Sequence, residues 1–168
     1  DRAEYVGIAS PGIIDAGRGI VRYSNNFGWQ DAALAEDIRR RLGLSVRMAN
    51  DAQCAALGEA LYGAGRGVAR MAMLTIGTGV GGGFVRDGRL ETDGYGSMAY
   101  IFGHAVIAHQ GRECNCGRRG CLEAYASATA IGVRGRRLWE EEKSVKDIFR
   151  AAGSGDVEAG GIVREFLE

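Results

Sequence analysis

Three of the four cysteines of this 168-residue chain lie within eight residues, and a histidine precedes them. The order is His104, Cys114, Cys116 and Cys121, with nine residues between the histidine and the first cysteine. Three thiolates and one imidazole suit tetrahedral Zn²⁺, and four protein ligands without an open position are typical of a structural site. The alternatives are a disulfide and free thiols, but a Cys-x-Cys pair closes poorly on itself and disulfides are rare in a reducing cytoplasm. The spacing therefore favours a structural zinc site, and Cys54, in an alanine-rich segment, is interpreted as a small core residue.

The segment GTGVGG, residues 77–82, is the second place where the sequence indicates chemistry. It fits the pattern G-x-G-x-x-G, but a dinucleotide-binding fold needs a helix directly after that pattern, and here strand-like GFVRDG follows. The sequence also lacks the Gly-Lys-Ser/Thr of a Walker A loop and the other motifs of a protein kinase. Two interpretations stay open. The segment is either a turn whose N–H groups and Thr78 hydroxyl hold phosphate oxygens, or a plain glycine-rich hairpin.

An Asn-Asp pair, Asn50 and Asp51, follows a pattern typical of a buried strand and precedes one typical of a helix. Capping of the helix by Asn50 would explain such a pair. Ligands also bind at strand ends in α/β sheets, where a carboxylate can take a proton from a substrate hydroxyl. From this pattern alone, capping and catalysis both remain open.

The elements that must position these residues alternate between strand and helix patterns, which indicates an α/β fold. Short apolar runs predict strands at 5–10, 45–51, 70–77 and 82–90. Helical spacing predicts helices at 31–44, 52–62 and in the region after 123. Gly63 is placed to end the second helix, and Ser144 with Asp147 forms a capping-box pattern further on.

The composition excludes several classes of function. Acidic and basic residues balance at 21 each, so no overall field would draw the chain to nucleic acid or to a membrane surface. The sequence shows neither a run of apolar residues long enough for a membrane span nor a signal peptide, so we expect a cytoplasmic protein. Its 28 glycines imply many close backbone approaches. Because the sequence begins and stops within apparent elements, we expect it to be part of a longer chain.

Several motifs occur in one order along nearly the whole sequence: GIASPGIID, NNFGW, ANDAQCAALGEALYGAG, LTIGTGVGGGFVRDG, FGH and CNCGRRGCLEAYAS. In this order and at this spacing they resemble the ROK family of bacterial sugar kinases and sugar-responsive repressors, and its glucokinase-like members most. The resemblance implies the actin-like α/β fold of sugar kinases and Hsp70, which is ribonuclease H-like, with two domains that close over a cleft. It implies that residues 1–66 belong to the smaller N-terminal domain and residues 67–168 to the larger domain with the zinc-binding loop. It also implies an upstream phosphate loop and a downstream adenosine segment, without which these residues are expected to be inactive.

The implied reaction is ATP-dependent phosphorylation of a hexose, with Asp51 as the general base. The implied cofactors are structural Zn²⁺ and the Mg²⁺ that accompanies ATP, and the implied assembly is a homodimer or homotetramer. Matching by position assigns sugar contacts to Asn26, Asn50, Asp51, His104 and Glu123. It assigns ATP phosphate contacts to Gly77, Thr78 and Gly79, and the zinc ligands to His104, Cys114, Cys116 and Cys121.

One segment departs from the family pattern. The family usually reads Ala-Gly-Glu-x-Gly-His, whereas this chain reads AYIFGH, with Tyr100 at the glycine and Ile101 at the glutamate that bonds the sugar. Isoleucine cannot accept a hydrogen bond, and an unsatisfied sugar hydroxyl there would cost about 1–3 kcal/mol. Two alternatives to a kinase stand. The resemblance also allows a sugar-sensing repressor with an upstream helix-turn-helix, which would be the only part to bind nucleic acid. The departure at Tyr100 and Ile101 suggests a degenerate homologue with weakened sugar binding. The sequence names neither the sugar nor the phosphoryl donor, ATP or polyphosphate.

Overall fold

The structure is a computed structural model that describes residues 3–24, 26–92, 102–139 and 144–167. Strands and helices alternate in it, which confirms the α/β class predicted from the sequence. The chain forms two compact units, the first made of Asp1–Leu74 with Gly82–Ile101 and the second of Thr75–Gly81 with Phe102–Glu168. The domain boundary expected near residue 66 stays a prediction.

The first unit begins with a strand–helix–strand arrangement that ends at Asn50. Its elements are β1 (Tyr5–Ser10), β2 (Ile13–Asp15), β3 (Ile20–Ser24), β4 (Trp29–Ala32), α1 (Leu34–Leu42) and β5 (Ser45–Asn50). β1 pairs in parallel with β5, with Ser10 opposite Asn50, while β2, β3 and β4 form an antiparallel sheet. The core of this region is a cluster of Ile14, Val21, Ala35, Val46 and Met48, against which Leu34 and Ile38 of α1 pack.

The remaining elements of the middle of the chain are α2 (Asp51–Tyr62), β6 (Arg70–Ile76), β7 (Val80–Arg86) and β8 (Arg89–Leu90). Gly63 ends α2, where its N–H donates to Glu59 O at 3.1 Å, as predicted. β6, β7 and β8 form one sheet in that order, and Asp87 and Gly88 make the predicted turn with φ of 48° and 73°. A Cβ on Gly83 would lie 2.7 Å from the Cβ of Ala56, so glycine lets β7 approach α2 closely.

The second unit is mainly helical after a 3₁₀ helix, Phe102–His104. Its helices are α3 (Glu123–Ala126), α4 (Ala128–Trp139), α5 (Val145–Gly153) and α6 (Val157–Leu167). Their core is a cluster of Ile131, Ile148, Ala159 and Ile162. None of the helices in the described parts of the chain combines the length and the apolar composition that a membrane crossing requires.

Ser144 caps α5 as the sequence predicts, since its Oγ accepts from the Asp147 N–H at 3.3 Å. Ser144→Ala is therefore expected to lower the free energy of unfolding by about 1 kcal/mol. Urea unfolding of the full-length protein measures this loss. Lys146→Ala, at an exposed position of the same helix, is the control, and an equal loss in both variants would contradict a specific contribution from the cap.

Candidate functional site

Asn50 and Asp51 stand at the carboxyl end of β5, where the strand gives way to α2. Asn50 is only 6% exposed, and both ends of its amide are used. Its Oδ1 accepts from the Gln53 N–H at 3.2 Å, and its Nδ2 donates to Gly12 O at 3.1 Å. Asn50 thus caps the helix and holds the segment after β1 against it. Among the residues that the structure describes, the second N–H of this amide has no partner, so it can donate to a ligand.

Asp51 is exposed, and its Oδ1 accepts from the Ala52 N–H at 2.9 Å. This bond orients the carboxylate at the first turn of α2 and leaves Oδ2 for other partners. A carboxylate so placed can accept a proton from a bound hydroxyl. Asn26, the other predicted contact in the first unit, is exposed in the turn between β3 and β4, beside the ring pair of Phe27 and Trp29, whose centroids lie 4.7 Å apart.

The segment Gly77–Gly79 is a tight turn between β6 and β7, which confirms the predicted strand–turn–strand. Its ends approach each other, because the Gly77 N–H donates to Gly79 O at 2.9 Å. The start of α4 holds two of its carbonyls: the Ala128 N–H donates to Gly77 O at 2.8 Å, and Thr129 Oγ1 donates to Thr78 O at 2.7 Å. Thr78 is left exposed, with its hydroxyl available to a ligand.

A cavity of about 500 Å³ adjoins this turn within the second unit. It is lined by Thr78, Ala128, Thr129, Gly132, Arg136, Ser144 and Val145. Hydroxyl groups and a guanidinium around one cavity can bind phosphate or ribose oxygens. Thr129 and Arg136 were missed by the sequence analysis, because a threonine and an arginine in a helical segment carry no local signal of a site.

Glu123, the first residue of α3, contacts the same turn. Its Oε2 accepts from the Val80 N–H at 2.8 Å, and a Cβ on Gly79 would lie 2.6 Å from that oxygen. The carboxylate therefore lies against the backbone at the end of the glycine segment. The family resemblance implies only a sugar contact for Glu123, and no local sequence pattern predicts its bond to the Val80 N–H.

The four predicted metal ligands lie together: one ligand atom from each of His104, Cys114, Cys116 and Cys121 falls within 4.8 Å of all the others. Cys116 Sγ is 3.7 Å from Cys121 Sγ, and Cys114 Sγ is 3.5 Å from His104 Nδ1. Two sulfurs bound to tetrahedral Zn²⁺ at about 2.3 Å are about 3.8 Å apart. The donor set and its spacing thus fit this ion, and all four cysteines of the chain are free of disulfides.

The surroundings of Cys114 and Cys116 shift the pKa values of their thiols in opposite directions. Burial raises the pKa of the Cys114 thiol to about 11, and hydrogen bonding with the Cys116 and Cys121 thiols adds to the increase. Burial also raises the pKa of Cys116, but hydrogen bonds from Arg118 and from the other two thiols together outweigh it and lower that pKa to about 7. Since the thiolate is the form that binds a metal, Cys116 is better prepared to do so than Cys114.

Glycines shape the loop that carries these ligands. Gly117 and Gly120 have φ of 82° and 79°, a left-handed conformation that favours glycine. The Gly120 N–H donates to Arg112 O at 2.7 Å, and the Cys114 N–H donates to Arg118 O at 2.8 Å. These bonds fold the loop back on itself and place Cys121 beside Cys116.

Two alanine substitutions separate conformational strain from steric conflict in this loop. A Cβ on Gly117 would meet nothing within 4 Å, so Gly117→Ala is expected to cost only the strain of the left-handed backbone, about 1–2 kcal/mol. A Cβ on Gly120 would lie 1.7 Å from Ala108 O, and Gly120→Ala is expected to cost about 1–3 kcal/mol more. Urea unfolding of both zinc-loaded variants measures the difference. Equal losses would contradict the close approach of Gly120 to Ala108.

The predicted site residues are divided between the two compact units. Asn26, Asn50 and Asp51 belong to the first unit, whereas the glycine segment, Glu123 and the metal ligands belong to the second. His109, the other histidine of the chain, is exposed and lies outside the metal cluster. The departure at Tyr100 and Ile101 lies outside the described residues.

Comparison with known proteins identifies the family. All residues, 1–168, match the ROK family. A glucokinase from Thermotoga maritima is 51% identical over 173 aligned residues, which cover 93% of this chain and 54% of that protein. The chain thus spans about half the length of the curated relatives it matches.

Solved structures of ROK proteins are also similar to this chain. A ROK family glucokinase from Streptomyces griseus, in complex with glucose and AMPPNP, is 34% identical with a TM-score of 0.82, over 98% of this chain and 58% of that one. A ROK family transcriptional regulator, a homolog of the E. coli MLC protein, is 32% identical with a TM-score of 0.82, over 99% of this chain and 44% of that one. The similarity confirms the predicted actin-like α/β fold, and the chain belongs to the ROK family.

Proposed function

We propose that the full-length protein transfers a phosphoryl group from ATP to a hydroxyl of a hexose. The observation that carries the proposal is the exposed carboxylate of Asp51 at the end of β5, in a chain that also keeps the Gly77–Gly79 turn. A protein that only senses a sugar needs neither a base nor a phosphate-binding turn. The similarity to the Thermotoga and Streptomyces glucokinases supports the same reaction.

Each group in the first unit has a distinct role in this proposal. Asp51 takes the proton of the attacking hydroxyl as that oxygen bonds to phosphorus, through the Oδ2 that its own helix leaves open. Asn50 offers its remaining amide N–H to a second sugar hydroxyl, and Asn26 offers an exposed amide to a third. Short, rigid side chains suit this task, because they lose little freedom when a hydroxyl binds.

In the second unit, the turn formed by Gly77, Thr78 and Gly79 binds the ATP phosphates. The donors are the N–H groups of Thr78 and Gly79 and the Thr78 hydroxyl, because the Gly77 N–H donates to Gly79 O within the turn. The Mg²⁺ that accompanies ATP would neutralise charge on those phosphates. His104 turns its Nδ1 toward the thiols, so its Nε2, on the other side of the ring, is the atom that would reach a sugar hydroxyl. Glu123 offers its other carboxylate oxygen to the sugar.

Zinc has a structural role in this proposal. The four ligands His104, Cys114, Cys116 and Cys121 leave no position for water or substrate, so the ion would supply cross-linking and no Lewis-acid chemistry. The cluster joins the 3₁₀ helix to the residue two places before Glu123. Zinc would therefore hold two proposed sugar contacts, His104 and Glu123, in one rigid loop.

A second candidate function is supported by the similarity to the transcriptional regulator. In that case sugar would bind without being phosphorylated, and the DNA contacts would come from residues upstream of this chain. A third possibility, a homologue with weakened sugar binding, rests on the sequence at Tyr100 and Ile101. We favour the kinase because Asp51 and the glycine turn would have no task in the other two.

The test is a phosphorylation assay on the full-length protein with glucose, mannose, fructose and N-acetyl sugars, each with ATP or polyphosphate. Turnover of at least one sugar is expected. Micromolar binding of a sugar by calorimetry without turnover would contradict the kinase and favour the sensor. Absence of both binding and turnover would favour the degenerate homologue. Light scattering on the same sample tests the proposed homodimer or homotetramer.

A further inference from the structure

Three hydrogen bonds attach the glycine turn to one continuous segment, residues 123–129. They run from Ala128 N to Gly77 O, from Thr129 Oγ1 to Thr78 O, and from Val80 N to Glu123 Oε2. The last of these is the only one that involves a charged group. It also spans 43 positions of sequence, so local folding does not bring it about.

The contact at Glu123 is close and specific. Val80 is only 7% exposed, and its N–H donates to Glu123 Oε2 at 2.8 Å. The same oxygen occupies the space that a side chain at position 79 would need, since a Cβ there would lie 2.6 Å away. The carboxylate thus sets the orientation of the peptide between Gly79 and Val80, where the turn enters β7.

Only half of the Glu123 carboxylate is used in this way. Oε1 makes no hydrogen bond to any residue that the structure describes. One oxygen of the side chain holds the turn, and the other remains for a ligand such as a sugar hydroxyl. A single carboxylate can therefore touch both the sugar and the backbone that binds ATP.

We infer that Glu123 is a positioning residue for the phosphate-binding turn, and that it acts on ATP through the Val80 N–H in addition to any contact with the sugar. This inference rests on the proposed function, since it takes the turn to be the ATP phosphate site. A residue that only contacts sugar would leave the affinity for nucleotide unchanged in the absence of sugar. A residue that positions the turn changes that affinity even when no sugar is present.

The experiment measures binding of AMPPNP with Mg²⁺ to the full-length protein by calorimetry, without sugar. Glu123→Ala removes the acceptor of the Val80 N–H and is expected to weaken AMPPNP binding about 10-fold, since this is the usual scale for one hydrogen bond to a charged group. Glu123→Gln keeps an oxygen that can accept from Val80. It is expected to bind AMPPNP within about 3-fold of the wild type, while its KM for the sugar rises.

A double-mutant cycle with Gly79→Ala tests whether the contact itself is responsible. The added methyl group displaces the carboxylate, so the losses of AMPPNP affinity in Gly79→Ala and Glu123→Ala should be less than additive when combined. Circular dichroism and bound zinc, measured on each variant, confirm that the loop still folds. If zinc is lost from Glu123→Ala, the inference is judged on Gly79→Ala and Glu123→Gln instead.

Unchanged AMPPNP affinity in Glu123→Ala, or full additivity in the cycle, would overturn the inference, as would a wild-type protein that binds no AMPPNP. Failure of the proposed function gives a different result. A wild-type protein that phosphorylates no sugar, but whose AMPPNP binding still depends on Glu123, would refute the kinase and leave the positioning role intact.

Discussion

Asp51→Asn in the full-length protein is expected to lower kcat for sugar phosphorylation by about 10²–10⁴-fold, the usual contribution of a general base. The reason is that an amide cannot accept the proton of the attacking hydroxyl. Its oxygen can still accept from the Ala52 N–H, the bond that Asp51 Oδ1 makes at 2.9 Å, so α2 should begin as before. Steady-state kinetics with ATP and the preferred sugar measures the loss, and calorimetry shows whether the sugar still binds.

Asp87→Asn is the matched control for this substitution. Asp87 is an exposed aspartate in the turn between β7 and β8, and its φ of 48° is one that asparagine also adopts readily. The control should leave kcat unchanged. If Asp51→Asn retained kcat within a few-fold of the wild type, Asp51 would not be the base, and the proposed mechanism would lose its central group.

Cys121→Ser is expected to reduce bound zinc from about one ion per chain to less than about 0.1, because a serine hydroxyl is a poor ligand for Zn²⁺ beside two thiolates. Cys121 is completely buried, and its Sγ lies 3.7 Å from Cys116 Sγ, so no water can easily replace it. Since metal binding and folding of such a loop are coupled, the midpoint of thermal unfolding should fall as well. Elemental analysis after dialysis and a thermal melt give the two readouts.

Cys54→Ser provides the control for the zinc prediction, since Cys54 is half-buried in α2 and outside the cluster. It should retain the full amount of zinc. Treatment of the wild type with a strong chelator should lower its melting midpoint to that of Cys121→Ser, with little further effect on the variant. Stoichiometric zinc in Cys121→Ser, or a wild type that binds none, would contradict a structural zinc site.

The metal ligands and the glycine turn could be predicted from the sequence because the residues of each lie close together along the chain. Cys114, Cys116 and Cys121 are separated by a few residues, so two left-handed glycines suffice to bring them together. The turn at 77–79 was predicted for the same reason, since glycines between two strand patterns leave few other conformations. His104 lies further away, ten residues before Cys114, and the spacing of the four residues predicted it as well.

The caps of α2 and α5 could also be predicted from the sequence, because each cap depends on residues three positions apart. Ser144 and Asp147 form the predicted pair, and Asn50 caps α2 through the Gln53 N–H. The second hydrogen bond of Asn50, to Gly12 O, could not be predicted from the sequence, since 38 positions separate the two residues. It explains why the Asn50 side chain is buried at the point where a ligand contact was predicted.

The sequence by itself determined the α/β class and the placement of Asp51 at a strand end, because the periodicity of apolar residues is a local property of the chain. It also determined the resemblance to the ROK family and the four candidate zinc ligands, because motif order and ligand spacing can be read along the chain. Tertiary structure alone decided that Glu123 bonds the Val80 N–H and that Thr129 bonds Thr78 O, contacts across 43 and 51 positions. The physical reason is that a glutamate or threonine has many possible partners in the unfolded chain. Which of them it meets depends on how β7, α3 and α4 pack, and packing is a sum over many distant contacts that no short motif records.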